Sequence, residues 1–210
     1  MKNILYTSVL ILCFCGAAKA QEYGFKKGDF LIEGSFRASS DEGGMQNYDK
    51  VVSLSFNPQI GYFLSDKWAV GLMGGYGKQT YESKPTATSV SLGQEFFTLG
   101  AFGRYYFLDL GSRFKIFTGL ESTYQKLDVL KDENFPYTGG YDQKQFGANA
   151  GIGANFFITK NLSIAYTFTH VLGFTTYKIN SENSGTSFYL NANNFGNIFN
   201  TGSFSLGFRF

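Results

Sequence analysis

Leu162-Ser163-Ile164-Ala165-Tyr166-Thr167-Phe168-Thr169 alternates between large apolar and small side chains. Period two is the spacing of a β-strand, in which successive side chains point to opposite faces. The small-residue face carries no charge, and the chain holds no acid, lysine or arginine between Lys160 and Lys178. The same is true between Lys144 and Lys160 and between Glu182 and Arg209. A soluble barrel or sandwich also alternates, but it places charged residues on its water-facing side. A face of Gly, Ser, Ala, Thr and Asn makes poor solubilising surface and suits a narrow lumen, which leaves the aromatic face for lipid.

The same alternation recurs along the chain. Apolar faces are Phe30-Ile32-Phe36, Val52 to Tyr62, Trp68 to Tyr76, Phe97 to Phe107, Phe114 to Tyr124, Phe146 to Phe156, Leu162 to Phe168 and Phe204 to Phe210. The fourth is ambiguous, because Phe96, Phe102 and Tyr106 load its other face as well. This gives eight strands of about ten residues, the length that crosses a bilayer at a tilt of about 45°. Tight turns at Ser65-Asp66-Lys67, Asp109 to Ser112 and Thr159-Lys160-Asn161 alternate with long polar stretches near 38–50, 81–94, 128–143 and 176–200. Short turns on one side and long loops on the other are the outer-membrane arrangement. An even strand number puts both termini on the short-turn side. Pro58 removes one ladder hydrogen bond and is expected at a bulge near a strand end.

The chain opens with Lys2, an apolar run from Ile4 to Phe14 and the small-residue site Ala18-Lys19-Ala20, the pattern of a secretory signal peptide cleaved after Ala20. The apolar run is too short for a spanning helix. Cys13 and Cys15 follow Leu12 and Phe14, where a lipoprotein signal requires a small residue, so lipidation is not expected. Both cysteines leave with the signal, which rules out a disulfide or thiolate metal site in residues 21–210. Lys2 and Lys19 leave too, balancing 16 basic against 16 acidic residues. Nothing in that charge favours nucleic acid as a partner. Glycine supplies 26 of 210 residues and aromatics 19%, while mean hydropathy is only −0.12. Rich glycine and aromatics without long apolar runs are the composition of an all-β transmembrane barrel. No linker divides residues 21–210.

Ile60-Gly61-Tyr62-Phe63-Leu64-Ser65-Asp66-Lys67-Trp68, Gly103-Arg104-Tyr105-Tyr106-Phe107 and the terminal Phe208-Arg209-Phe210 resemble the small eight-stranded OmpA/OmpX-type barrels of the outer membrane protein beta-barrel domain family. The resemblance implies an antiparallel up-and-down barrel over about residues 28–210. It also implies that Phe208 and Phe210 form the signal read by the barrel-assembly machinery; Gly207 stands two places from the usual glycine position, which Ser205 occupies.

Candidate site residues are few. Glu33, Arg104, Lys115 and Glu121 all fall on lumen parity. Unpaired charge in a narrow lumen is costly, so they are expected to form a structural ion network. His170, the single histidine, has the parity of the lipid face and no serine beside it. Catalysis is therefore not expected, and neither is a metal or cofactor. Trp68, Tyr76, Tyr105, Tyr62 and Tyr124 suit aromatic girdles at the two interfaces. The acidic stretches Asp41-Glu42 and Asp128 to Glu133 and the polar run Ser181 to Asn194 lack a recognisable Ca²⁺ ligand spacing and suit a solvated or lipopolysaccharide-facing surface.

An eight-stranded lumen is filled by side chains. The favoured function is structural or surface interaction through the long loops, as a monomer in outer-membrane lipid and lipopolysaccharide. A narrow channel for small, hydrophobic molecules, using Gly71, Gly75, Gly77, Gly151 and Gly153, is the alternative. A lipid-modifying enzyme is the weaker one.

Overall fold

The computed structural model describes residues 23–45, 48–82, 91–130, 142–179, 183–190 and 203–210. The expected signal peptide, with Ala18 and Ala20, lies outside them, as do parts of the stretches 128–133 and 181–194. The strands are β1 (Phe30–Met45), β2 (Tyr48–Phe63), β3 (Trp68–Glu82), β4 (Ser91–Leu110), β5 (Phe114–Leu130), β6 (Asp142–Phe157), β7 (Leu162–Ile179), β8 (Asn183–Leu190) and β9 (Ser203–Arg209). From β1 to β7 each strand pairs antiparallel with the next, and β9 pairs with both β1 and β7 to close the ring. Phe30 and Phe210 exchange backbone hydrogen bonds of 2.9 and 3.0 Å at that closure.

The result is a closed eight-stranded antiparallel barrel whose eighth wall is split. β8 pairs with upper β7 from Ile179↔Asn183 to Leu172↔Leu190. β9 pairs with lower β7 from Thr167↔Ser203 to Leu162↔Phe208. The expected loop at 176–200 thus contains a strand. The described parts of the other expected loops are strand too: β1 reaches Met45, β4 begins at Ser91, and β5 reaches Leu130. Ladder hydrogen bonds join backbones and need no apolar alternation, so the strands continue where both faces have become polar, as in Ser39-Ser40-Asp41-Glu42.

The lipid-facing belt is shorter than the strands. On β3 its outward residues run from Trp68 through Val70 and Leu72 to Tyr76, and then Lys78 follows. Lys50, Glu95, Lys126, Lys144 and Lys178 are the first charged residues above the apolar outward face on the other long strands from β2 to β7. The nine residues from Trp68 to Tyr76 rise roughly 20 Å at a 45° tilt, close to the apolar band of about 25 Å seen on outer-membrane barrels. The lower edge is aromatic, with Trp68 on Tyr105 at 4.7 Å and Phe30 on Tyr62 at 5.0 Å. Tyr76 and Tyr124 mark the top of the belt, at mid-strand.

Two local points differ from the sequence expectation. Pro58 sits inside β2 opposite Gly34, without a bulge. The β2–β3 ladder lapses between Phe56↔Tyr76 and Gln59↔Met73 and resumes in the same register, so the missing N–H costs one local stretch of pairing. In β4 a bulge between Tyr106 and Leu108 resolves the two-faced segment. Phe102, Arg104 and Tyr106 turn inward, while Phe97, Leu99 and Phe107 face lipid.

Phe204, Leu206 and Phe208 are exposed on the lipid face, and Gly207 is buried toward the lumen. Leu206→Arg is therefore expected to lower folding stability in lipid vesicles by roughly 2–4 kcal/mol. Urea titration of the two proteins checks this, and equal midpoints would refute the face assignment.

Candidate functional site

The lumen begins at a closed lower end. Residues 23–28 turn back under the barrel, helped by left-handed φ values at Gly24 (126°) and Gly28 (95°) that L side chains rarely adopt. Gly28 N–H donates to Phe63 O, and Phe63 N–H donates to Asp29 O, both at 2.9 Å. Phe25 enters the mouth and is buried. It stacks on Phe63 at 4.1 Å and meets Tyr106 at 4.9 Å and Phe157 at 5.0 Å. Tyr106 packs in turn on Phe117 at 5.4 Å. Arg113 donates to the Tyr23 hydroxyl at 2.7 Å and lies over its ring. Arg209 reaches Gly24 O and lies 3.3 Å from Asp29 Oδ2. An aromatic plug pinned by two arginines fills the lower mouth of the lumen.

One step higher the lumen is ionic. Arg104 Nη1 lies 2.7 Å from Glu33 Oε2, with the residues only 4% and 1% exposed. Gln59 Nε2 donates to the same oxygen. The guanidinium lies 5.0 and 4.7 Å from the ring centres of Phe102 and Phe117, a cation–π arrangement. Gly207 makes room for this: a Cβ there would stand 3.0 Å from Glu33 Cγ and from Ser163 Oγ. Beside it Asn155 Nδ2 donates to Ser163 Oγ at 3.0 Å, both buried.

Glu121 occupies a separate tier with His170, whose Nε2 is 3.5 Å from Glu121 Oε2. The histidine faces the lumen, contrary to its parity. Bulges in the β6–β7 register lie between Ala150 and Gly151 and between Ile152 and Gly153. Together they pair His170 with inward Gly151 and then restore the original parity at Leu172↔Ala150. Lys115 does not join Glu33 and Arg104. It pairs with Asp109 at 2.8 Å near the lower rim, because shared parity fixes a face and not a height.

The lumen-facing glycines do not make an open bore. A Cβ at Gly71 would come within 2.6 Å of the Phe102 ring, and one at Gly75 within 2.5 Å of Asn57 Oδ1. Gly77 and Gly153 are overlain in the same way by Phe96 and Phe117. Gly71, Gly77 and Gly153 each accommodate an aromatic ring from a neighbouring strand, and Gly75 accommodates the Asn57 side chain.

Over residues 7–210 the sequence matches the outer membrane protein beta-barrel domain family. The chain belongs to this family. No curated sequence matches it significantly. Among solved structures it is similar to the N-terminal β-barrel domain of Pseudomonas aeruginosa OprF, at 14% identity and TM-score 0.48, covering 89% of this chain and 100% of that one. It is also similar to OprG of the same organism, at 15% identity and TM-score 0.47, covering 89% and 98%. Ail, the attachment invasion locus protein of Yersinia pestis, gives 12% identity and TM-score 0.43 over 88% and 99%.

Within this family member, Phe25, Tyr23, Gln59 and Arg209 also build the site, beyond the residues expected from the sequence. One signal was present: Phe63, Tyr106, Phe117 and Phe157 are large aromatics on a face otherwise built of small residues, close to the tight turns. Rings gathered at one end of a narrow lumen leave space for one more ring.

Proposed function

We propose that this family member is a closed membrane body, exported with its signal peptide removed after Ala20, that acts through what it presents above the outer membrane. The reading rests on the blocked lower lumen, where the Phe25 plug and the Arg104–Glu33 pair lie one above the other. Strands that continue past the lipid belt support it. β4 spans 20 residues, and about half of that length suffices to cross a bilayer. Lys78, Lys144 and Lys178 are exposed just above the belt, where lipopolysaccharide phosphates would meet them. Phe208 and Phe210 serve as the signal to the assembly machinery, and Phe210 then closes the ring against Phe30. His170 and Glu121 lie inside the lumen, away from lipid, which disfavours a lipid-modifying activity.

Single-molecule conductance of the purified barrel in planar bilayers tests the closed body. Insertion without a steady conductance step is the expected result. A stable open level in ordinary salt would replace this reading with the channel.

A further inference from the structure

The ring closes through a short seam. β1 and β9 pair only from Leu31↔Arg209 to Gly34↔Leu206, whereas β1 pairs with β2 as far as Met45↔Tyr48. Above Gly34, the Ser35–Arg37 edge of β1 and the Ser203–Ser205 end of β9 share no ladder pair among the described residues.

Two cavities meet at this break. On the lumen side a polar cavity of about 410 Å³ is lined by Ser35, Arg37, Ser55, Asn57, Phe96 and Ser203. On the lipid side an apolar groove of about 510 Å³ runs over Gly34 between Phe56, Ile164 and Leu206. Ser35, Phe36 and Phe204 line both. Arg37 is the one charged residue in either lining, and it has no acidic partner among the described residues.

We propose that the seam binds a single-chain amphiphile with an anionic headgroup, a long-chain carboxylate. The carboxylate sits on Arg37, whose planar fork matches it with two parallel hydrogen bonds, and the hydroxyls of Ser35, Ser55 and Ser203 surround it. The hydrocarbon chain lies in the groove on the outer wall. A soluble anion would have no use for the groove, and a neutral hydrocarbon none for the arginine. The groove opens onto the bilayer, so such a ligand arrives from the membrane without crossing water. The lumen is blocked below by the Arg104–Glu33 pair, which makes the site a pocket.

The test uses the full barrel in maltoside micelles with a dansyl-labelled undecanoic acid and its methyl ester as probes, binding being read by dansyl fluorescence. The wild type is expected to prefer the acid. Arg37→Gln, at an exposed position, is expected to weaken the acid on the order of tenfold and leave the ester unchanged. Gly34→Leu is expected to weaken both by filling the groove. The backbone accepts a Cβ there, which would stand at an ordinary 3.5 Å from Phe56, and the rest of the leucine extends into the groove. Equal binding of acid and ester, an acid preference that survives Arg37→Gln, or full binding of both probes by Gly34→Leu would overturn the proposal.

Discussion

Arg104→Ala is expected to destabilise the barrel by about 3–5 kcal/mol, the usual cost of leaving one member of a buried ion pair uncompensated. Glu33 is almost wholly buried, and Gln59 would be its one remaining side-chain hydrogen-bond partner among the described residues. The alanine also strips the cation from between Phe102 and Phe117. Replacing Arg104 by alanine and Glu33 by glutamine together removes both charges at once. The double variant is therefore expected to lose less than the sum of the two single variants, because residues in contact do not add. Urea unfolding in lipid vesicles measures all four corners of the cycle. Strict additivity would mean that the two side chains do not meet in the folded protein.

Phe25→Ala has the second large effect. The ring lies among Phe63, Tyr106 and Phe157, and truncating a buried phenylalanine to alanine costs about 3–5 kcal/mol. Here the loss falls on a short segment held otherwise by a few hydrogen bonds, such as Gly28 to Phe63 and Lys27 to Asp66. The segment is expected to undock while the barrel ladder persists. Trypsin should then cut after Lys26 and Lys27 in the folded variant, which still migrates as a heat-modifiable barrel, and leave the folded wild type intact. Equal resistance of the two proteins would show that Phe25 does not hold the segment in place.

These two sites were not equally legible in the sequence. Alternation in Leu162–Thr169, and the absence of charge around it, carried the barrel and its two faces. Arg104 and Glu33 stood out because each is a charge on a face of small residues. Parity failed where register shifts. Bulges move His170 to the other face, and a bulge of one residue leaves no mark in an apolar pattern. Parity is also blind to height, which is why Lys115 was grouped with Arg104 although it pairs with Asp109 at the rim. The loops were overextended because a polar stretch reads as a loop, while a ladder above the membrane needs only backbone. Phe25 lies in Tyr23-Gly24-Phe25-Lys26-Lys27-Gly28, which has no periodicity, and only its tertiary partners give it a place.

Thiol access tests most directly whether the lumen is blind at its periplasmic end, as proposed. Ser55 lines the lumen cavity above the Arg104–Glu33 pair, and Cys13 and Cys15 are the chain's only cysteines. With Ser55→Cys in proteoliposomes of known orientation, starting from protein that lacks residues 1–20, a small membrane-impermeant methanethiosulfonate is expected to label Cys from the extracellular side and not from the periplasmic side. Equal labelling from both sides would contradict the closed barrel and establish a continuous pore.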